Sequence, residues 1–144
     1  MGIYSIAVRT TNNTVSQCAV TLVSSATVRL NVLEHGLTQL FNNASTFGIG
    51  FPNTAGVTAA GTANGLAEDA SVPSSATQAV LSWSTQPVWF PAAYHRRVNL
   101  PATIGSGIIW TFPRGMTVPV SNSMVLYNLT STQSNCEVWY VWDE

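Results

Sequence analysis

From Arg96 to Glu144 the chain reads RRVNLPATIGSGIIWTFPRGMTVPVSNSMVLYNLTSTQSNCEVWYVWDE, and its apolar and polar residues alternate with a period of two. Some three or four short runs, each closed by Pro, Gly, Asn or Ser, form the pattern of antiparallel strands that bury one face. Ile108, Trp110 and Phe112 share a face. A PRG turn at Pro113, Arg114 and Gly115 leads to a run around Val118, and an SNS turn at Ser121 to Ser123 leads to Val125, Tyr127 and Leu129 at the same spacing. The final run sets Val138, Tyr140 and Trp142 on one side and Trp139 and Val141 on the other. A strand apolar on both faces predicts cover on both: a second sheet on one, a loop or another subunit on the other.

The same alternation recurs upstream. Ile3–Arg9 carries its larger residues, Tyr4, Ile6 and Val8, on one face. Gln17–Val23 and Thr27–Leu33 form a second pair of runs around Ser24-Ser25, the latter facing Val28, Leu30 and Val32 inward. Leu33–Phe41 reads as a strand with a bulge or bend, because Gly36 interrupts it and no good helix cap precedes it. Thr46–Phe51 is a short strand. Thr77–Trp89 brings Ala79, Leu81 and Trp83 onto one face, and Tyr94–Leu100 opens the sheet of the last third. Between them, residues of about 52–76 are rich in Ala, Gly and Thr and predict a long excursion, a feature that in a compact domain usually takes up contacts. Proline falls between strands or at their edges, where a missing amide donor is tolerated. The reading is all-β: one antiparallel β-sandwich over residues 1–144, of jelly-roll type, with roughly eight to ten short strands and almost no helix.

At 144 residues such a domain buries roughly 70% of the surface that its unfolded chain exposes and needs no disulfide scaffold. Its surface is the unusual part. Charged residues make up 8% of the chain against an average of about 25%, lysine is absent, and five arginines supply every fixed positive charge. So little charge, together with five tryptophans, fits a part that works inside an assembly. With a net charge of −1 there is no basic stripe for nucleic acid. The start MGIYSIAVRT lacks the features of a secretory leader, and no run reaches the roughly 20 apolar residues of a membrane helix.

Reactive groups do not converge in the sequence. His35 and His95 stand alone, Cys18 and Cys136 read as buried thiols, and no spacing selects a metal site, a nucleophile elbow or a phosphate loop. The chain therefore reads as a non-enzyme without catalytic residues, cofactor or metal. Asn12, Asn43 and Asn128 begin glycosylation-type triplets that arise by chance in so Asn/Ser/Thr-rich a chain. The richest local group is Trp83, Trp89, Phe90 and Tyr94 beside His95, Arg96 and Arg97. Three readings of it are open: core filling, with the arginines paired to Asp143 and Glu144; a subunit interface, since Trp, Tyr and Arg dominate binding hot spots; and a sugar-stacking platform. The interface candidates are Phe51, Trp89, Phe90, Tyr94, Arg96, Arg97 and Trp139.

The run RRVNLPATIGSGIIWTFPRGMTVPVSNSMVLYNL with the terminal YVWDE, preceded by ASTFGIGFP at Ala44–Pro52, resembles the small jelly-roll structural proteins encoded beside the major capsid proteins of tailed bacteriophages. The resemblance covers about two thirds of the chain and rests on strand-and-turn patterns. It implies a capsid decoration, or cement, protein: made in the host cytoplasm, seated on the outer capsid surface of the virion, often as a homotrimer, and clamping neighbouring capsomers through contacts with the major capsid protein. The alternative is a carbohydrate- or receptor-binding jelly roll at a tail tip or fibre, with Trp89 and Tyr94 as stacking surfaces.

Overall fold

The structure, a computed structural model, describes residues 2–10, 17–54, 56–88, 93–130 and 135–144, with the backbone alone at 17 and 57–62. The alternating runs become β1 (Ile3–Arg9), β2 (Gln17–Val23), β3 (Leu30–Gln39), β4 (Ser45–Gly50), β5 (Val57–Asn64), β6 (Leu66–Ala67), β7 (Gln78–Thr85), β8 (Arg96–Leu100), β9 (Gly107–Val118), β10 (Ser123–Asn128) and β11 (Cys136–Asp143). Two antiparallel sheets pack into a β-sandwich. One is five-stranded in the order β6-β1-β11-β3-β9, the other six-stranded in the order β5-β7-β2-β10-β4-β8. Apart from the β5 to β7 insertion, successive strands change sheet at every step except from β4 to β8, which are paired neighbours. Among the described residues there is no helix long and apolar enough to cross a membrane.

The inner faces meet in one core. The five-stranded sheet contributes Tyr4, Ile6, Leu30, Val32, Leu37, Trp110, Phe112, Val138, Tyr140 and Trp142; the six-stranded sheet contributes Leu22, Phe47, Ile49, Ala79, Met124 and Leu126. Each large side chain fully buried there stabilises the fold by about 1.5–3 kcal/mol relative to leaving it in water. The Arg9–Glu137 ion pair on the surface is worth about 1 kcal/mol at most, so the core decides the architecture. Gln39 is buried at one end of β3, and its side-chain amide lies 2.9 Å from the carbonyls of Phe41 and Asn43 and 2.8 Å from that of Pro101, tying two loops together.

The six-stranded sheet carries a second, smaller cluster on its outer face. Every residue of β10 is buried. Met124 and Leu126 enter the core, whereas Val125 and Tyr127 join Cys18 outside it, with Trp83, Tyr94 and Leu129 packed against them. The segment after β7 lies against this cluster: Gln86 accepts a bond from the Cys18 amide at 3.1 Å, and Val88 bridges Thr54. Tyr94 rests on Gly48, where a Cβ would collide with the ring.

Several expectations are corrected. The excursion at about 52–76 contains β5, which pairs with β7, and β6, which pairs with β1. Small residues suffice at a sheet edge, and Gly65, whose place beside the Trp142 ring leaves no room for a Cβ, lets the chain pass from one sheet to the other. The PRG segment is a bulge within β9, because β3 pairs Val32 with Met116 and next Glu34 with Thr111, so residues 112–115 face Leu33 alone. Gly115 there has a φ of 69°, and Asn31 fills the space that a side chain would need. The irregularity of β3 falls at this point and not at Gly36, which lies under the Trp139 ring. β8 joins β4 instead of opening the sheet of the last third. Val125 and Tyr127 leave the core face to Met124 and Leu126, and Trp83 packs on the outer cluster apart from Ala79 and Leu81. β11 alternates buried and half-buried residues within one chain, its outer residues Trp139 and Val141 among the half-buried ones.

Candidate functional site

The edge strands β8 and β9 approach each other around Arg96 and Met116. Phe51, Tyr94, His95 and Arg96 line a groove of about 480 Å³ with Met116 and Thr117. A neighbouring hollow of about 380 Å³ shares Arg96 and Met116 and adds Phe112, Pro113, Arg114 and Gly115. The β9 bulge makes this site: four residues opposite one push Arg114 out of the ladder, on the same hollow as Arg96. Proline is tolerated at residue 113 because β9 is an edge strand.

The groove is organised by rings. Phe51 packs edge-on against His95, with centroids 4.8 Å apart. The Arg96 guanidinium lies over Phe112 at 5.7 Å and donates to the His95 carbonyl at 2.7 Å, and that of Arg97 lies over Tyr94 at 5.9 Å. Stacked this way, a guanidinium keeps its charge and most of its donors free for a partner. Partial burial, and then the neighbouring Arg96 charge, lower the His95 pKa. The positive charge at neutral pH thus resides on arginine. Burial pushes the Tyr94 phenol up to about 12 despite Arg97, so it stays a neutral hydrogen-bonding group.

Of the interface candidates, Phe51, Tyr94, Arg96 and Arg97 come together at this edge. Trp139 does not. It lies on the outer face of the other sheet, over Gly36, with its indole N–H donating to Glu34 at 2.9 Å. Trp89 and Phe90 lie outside the described residues. The arginines are not paired with Asp143 and Glu144: among the described residues the ion pair is Arg9–Glu137, and the Glu144 carboxylate accepts bonds from Ser75, Thr77 and Trp142. Sequence reading missed Phe112, Arg114, Met116 and Thr117 as groove residues. Their signal was the PRG triplet, which has the same composition whether it turns a hairpin or bulges an edge strand.

The titratable groups inside the fold are held neutral. His35 lies in the core between Tyr140 and Trp110, with ring centroids at 4.4 and 5.5 Å, and burial lowers its pKa to about 3. Cys18 and Cys136 are free, buried thiols; burial raises both, Cys136 to about 12. Asn128 is fully buried, which takes its triplet out of reach of any modifying enzyme in the folded state, and Asn12 lies outside the described residues. No family model, no curated protein and no solved structure matches the chain.

Proposed function

We propose that the chain is a virion structural protein, a capsid decoration or cement protein that binds the outer capsid surface as a homo-oligomer and stabilises contacts between capsomers of the major capsid protein. The reading takes the order β1-β11-β3-β9 opposite β2-β10-β4-β8 as that of a two-Greek-key jelly roll carrying an insertion between β4 and β8. The observation that carries it is the surface of that sandwich. Ile3, Leu66, Ile104 and Ile109 are each exposed by half or more, on a chain with five arginines, no lysine and six acidic residues. Apolar residues scattered on a highly charged surface are ordinary, but here little charge stands between them, and burial against other subunits is the state that suits such a surface.

The test is co-sedimentation of the purified protein with capsids of the phage whose genome encodes it, with the bound mass read by light scattering. Binding at a fixed ratio to the major capsid protein is the expected result. A protein left entirely in the supernatant would overturn the assignment and move the weight to receptor or glycan binding. Tyr94 offers that alternative little, since its ring is packed on Gly48 and lies beneath Arg97.

A further inference from the structure

We infer that the sandwich docks head to tail on a second copy of itself, the β6 edge of one molecule, Leu66 with Glu68 and Asp69, entering the arginine-lined groove between β8 and β9 of the next. The inference rests on the reading of the chain as an assembly part and names the self-contact.

The five-stranded sheet ends in β6 on one side and β9 on the other. Among the described residues β6 pairs only with β1, and its Leu66 is 65% exposed, followed by exposed Glu68 and Asp69. The backbone N–H and side-chain hydroxyl of Ser71 hold the Asp69 carboxylate at 2.9 and 2.7 Å, which fixes its direction and keeps it ionised. The opposite edge presents a groove lined by Phe51, Met116 and Arg96, with the Arg97 guanidinium over the ring of Tyr94, which lines it too. One exposed leucine beside two carboxylates thus meets a groove with two guanidiniums.

The two edges cannot satisfy each other within one molecule. Five strands at about 4.8 Å spacing set them roughly 19 Å apart. The other acids do not line the groove: Glu137 bonds Arg9, Glu34 bonds Trp139, Glu144 bonds Ser75 and Thr77, and Asp143 lies in an adjoining hollow with Arg29, Arg114 and Thr117. Arg96 and Arg97 rest on rings, not on carboxylates. A contact of either edge with its own kind would set like charges together, whereas a heterologous contact pairs opposite charges and leaves a free edge at each end for the next copy.

The experiment is sedimentation velocity of the purified protein without capsids, over a concentration series, at about 50 mM and about 500 mM salt. The wild type is expected to assemble at low salt and to weaken at high salt. E68R/D69R leaves both edges positive and R96E/R97E leaves both negative; each alone is expected to weaken assembly at least tenfold, with a circular dichroism spectrum like that of the wild type. Mixed in equal amounts, the two should assemble again, because every groove then finds an edge of opposite charge. E68Q/D69N, which removes charge without reversing it, should lie between wild type and E68R/D69R. A wild type that stays monomeric, variants that assemble like it, or a mixture that stays monomeric would each overturn the head-to-tail contact. Capsid co-sedimentation is scored separately: an intact oligomer that ignores capsids sinks the decoration reading alone, and a capsid-binding monomer sinks this contact alone.

Discussion

The outer faces of the two sheets carry similar residues and lie in different surroundings. On the six-stranded sheet, Val125 and Tyr127 of β10 are buried with Cys18, and Trp83 and Tyr94 pack over them. On the five-stranded sheet, Trp139 and Val141 of β11 stay half-buried; Trp139 gains cover only by lying across Gly36 and bonding Glu34. The difference follows the insertion between β4 and β8, part of which returns across the outer face of the six-stranded sheet, while its strand β6 extends the edge of the five-stranded one. Apolar character on a strand states a demand for cover. Chain that returns to the same face meets it on one sheet, and a small residue beneath a large ring partly meets it on the other.

Replacing Tyr127 by Ala breaks the covered side of this comparison most directly. A loss of about 3–5 kcal/mol is expected in urea unfolding, since the ring is buried and its hollow cannot collapse easily. A loss under about 1 kcal/mol would show that the outer cluster contributes little. Acid sharpens the comparison from the other side. His35 belongs to the five-stranded sheet, and its pKa falls from 6.5 in the unfolded chain to about 3 in the fold. The unfolded state therefore binds the proton first. The contribution of the neutral ring is fully present above pH 6.5, declines by about 1.4 kcal/mol per pH unit as pH falls toward 3, and levels off below that. By pH 4.5 the loss is about 3 kcal/mol. Urea midpoints measured from pH 7 to 4.5 should show this slope, and His35→Phe should flatten it; a variant as acid-labile as the wild type would place the sensitivity elsewhere.

Smaller effects separate the two ring-over-glycine contacts. Gly48→Val displaces Tyr94 from a covered face and should cost about 1–3 kcal/mol. Trp139→Ala empties a half-exposed site and should cost about 1 kcal/mol, with a larger change in fluorescence than in stability. If the order of these two were reversed, the five-stranded sheet would be the one that depends on its outer face.

The fold was legible where period-two alternation decides orientation. Tyr4, Ile6 and Val8, and Val138, Tyr140 and Trp142, turn inward as their spacing requires. It was illegible where both alternating faces are apolar, as at Met124 to Tyr127, because two offset patterns fit one run and only tertiary cover selects between them. β5 was missed because Ala, Gly and Thr at a sheet edge lack the large residues that mark a strand. Of the groove, the aromatic and arginine half, Phe51, Tyr94, Arg96 and Arg97, could be found by residue type. The Phe112 to Thr117 half depends on a bulge whose register is set by β3, some eighty residues upstream, and no local pattern encodes it.

β11 lies between β1 and β3, and Gly2 and Glu144 exchange backbone bonds at its end. A ribosome delivers β1 and β3 long before β11, so during synthesis the five-stranded sheet waits with a gap at its centre. Until that gap is filled, two strands stay without their shared neighbour and the core lacks Val138, Tyr140 and Trp142. Closure through contacts so far apart in sequence places folding in the slower range, roughly milliseconds to seconds.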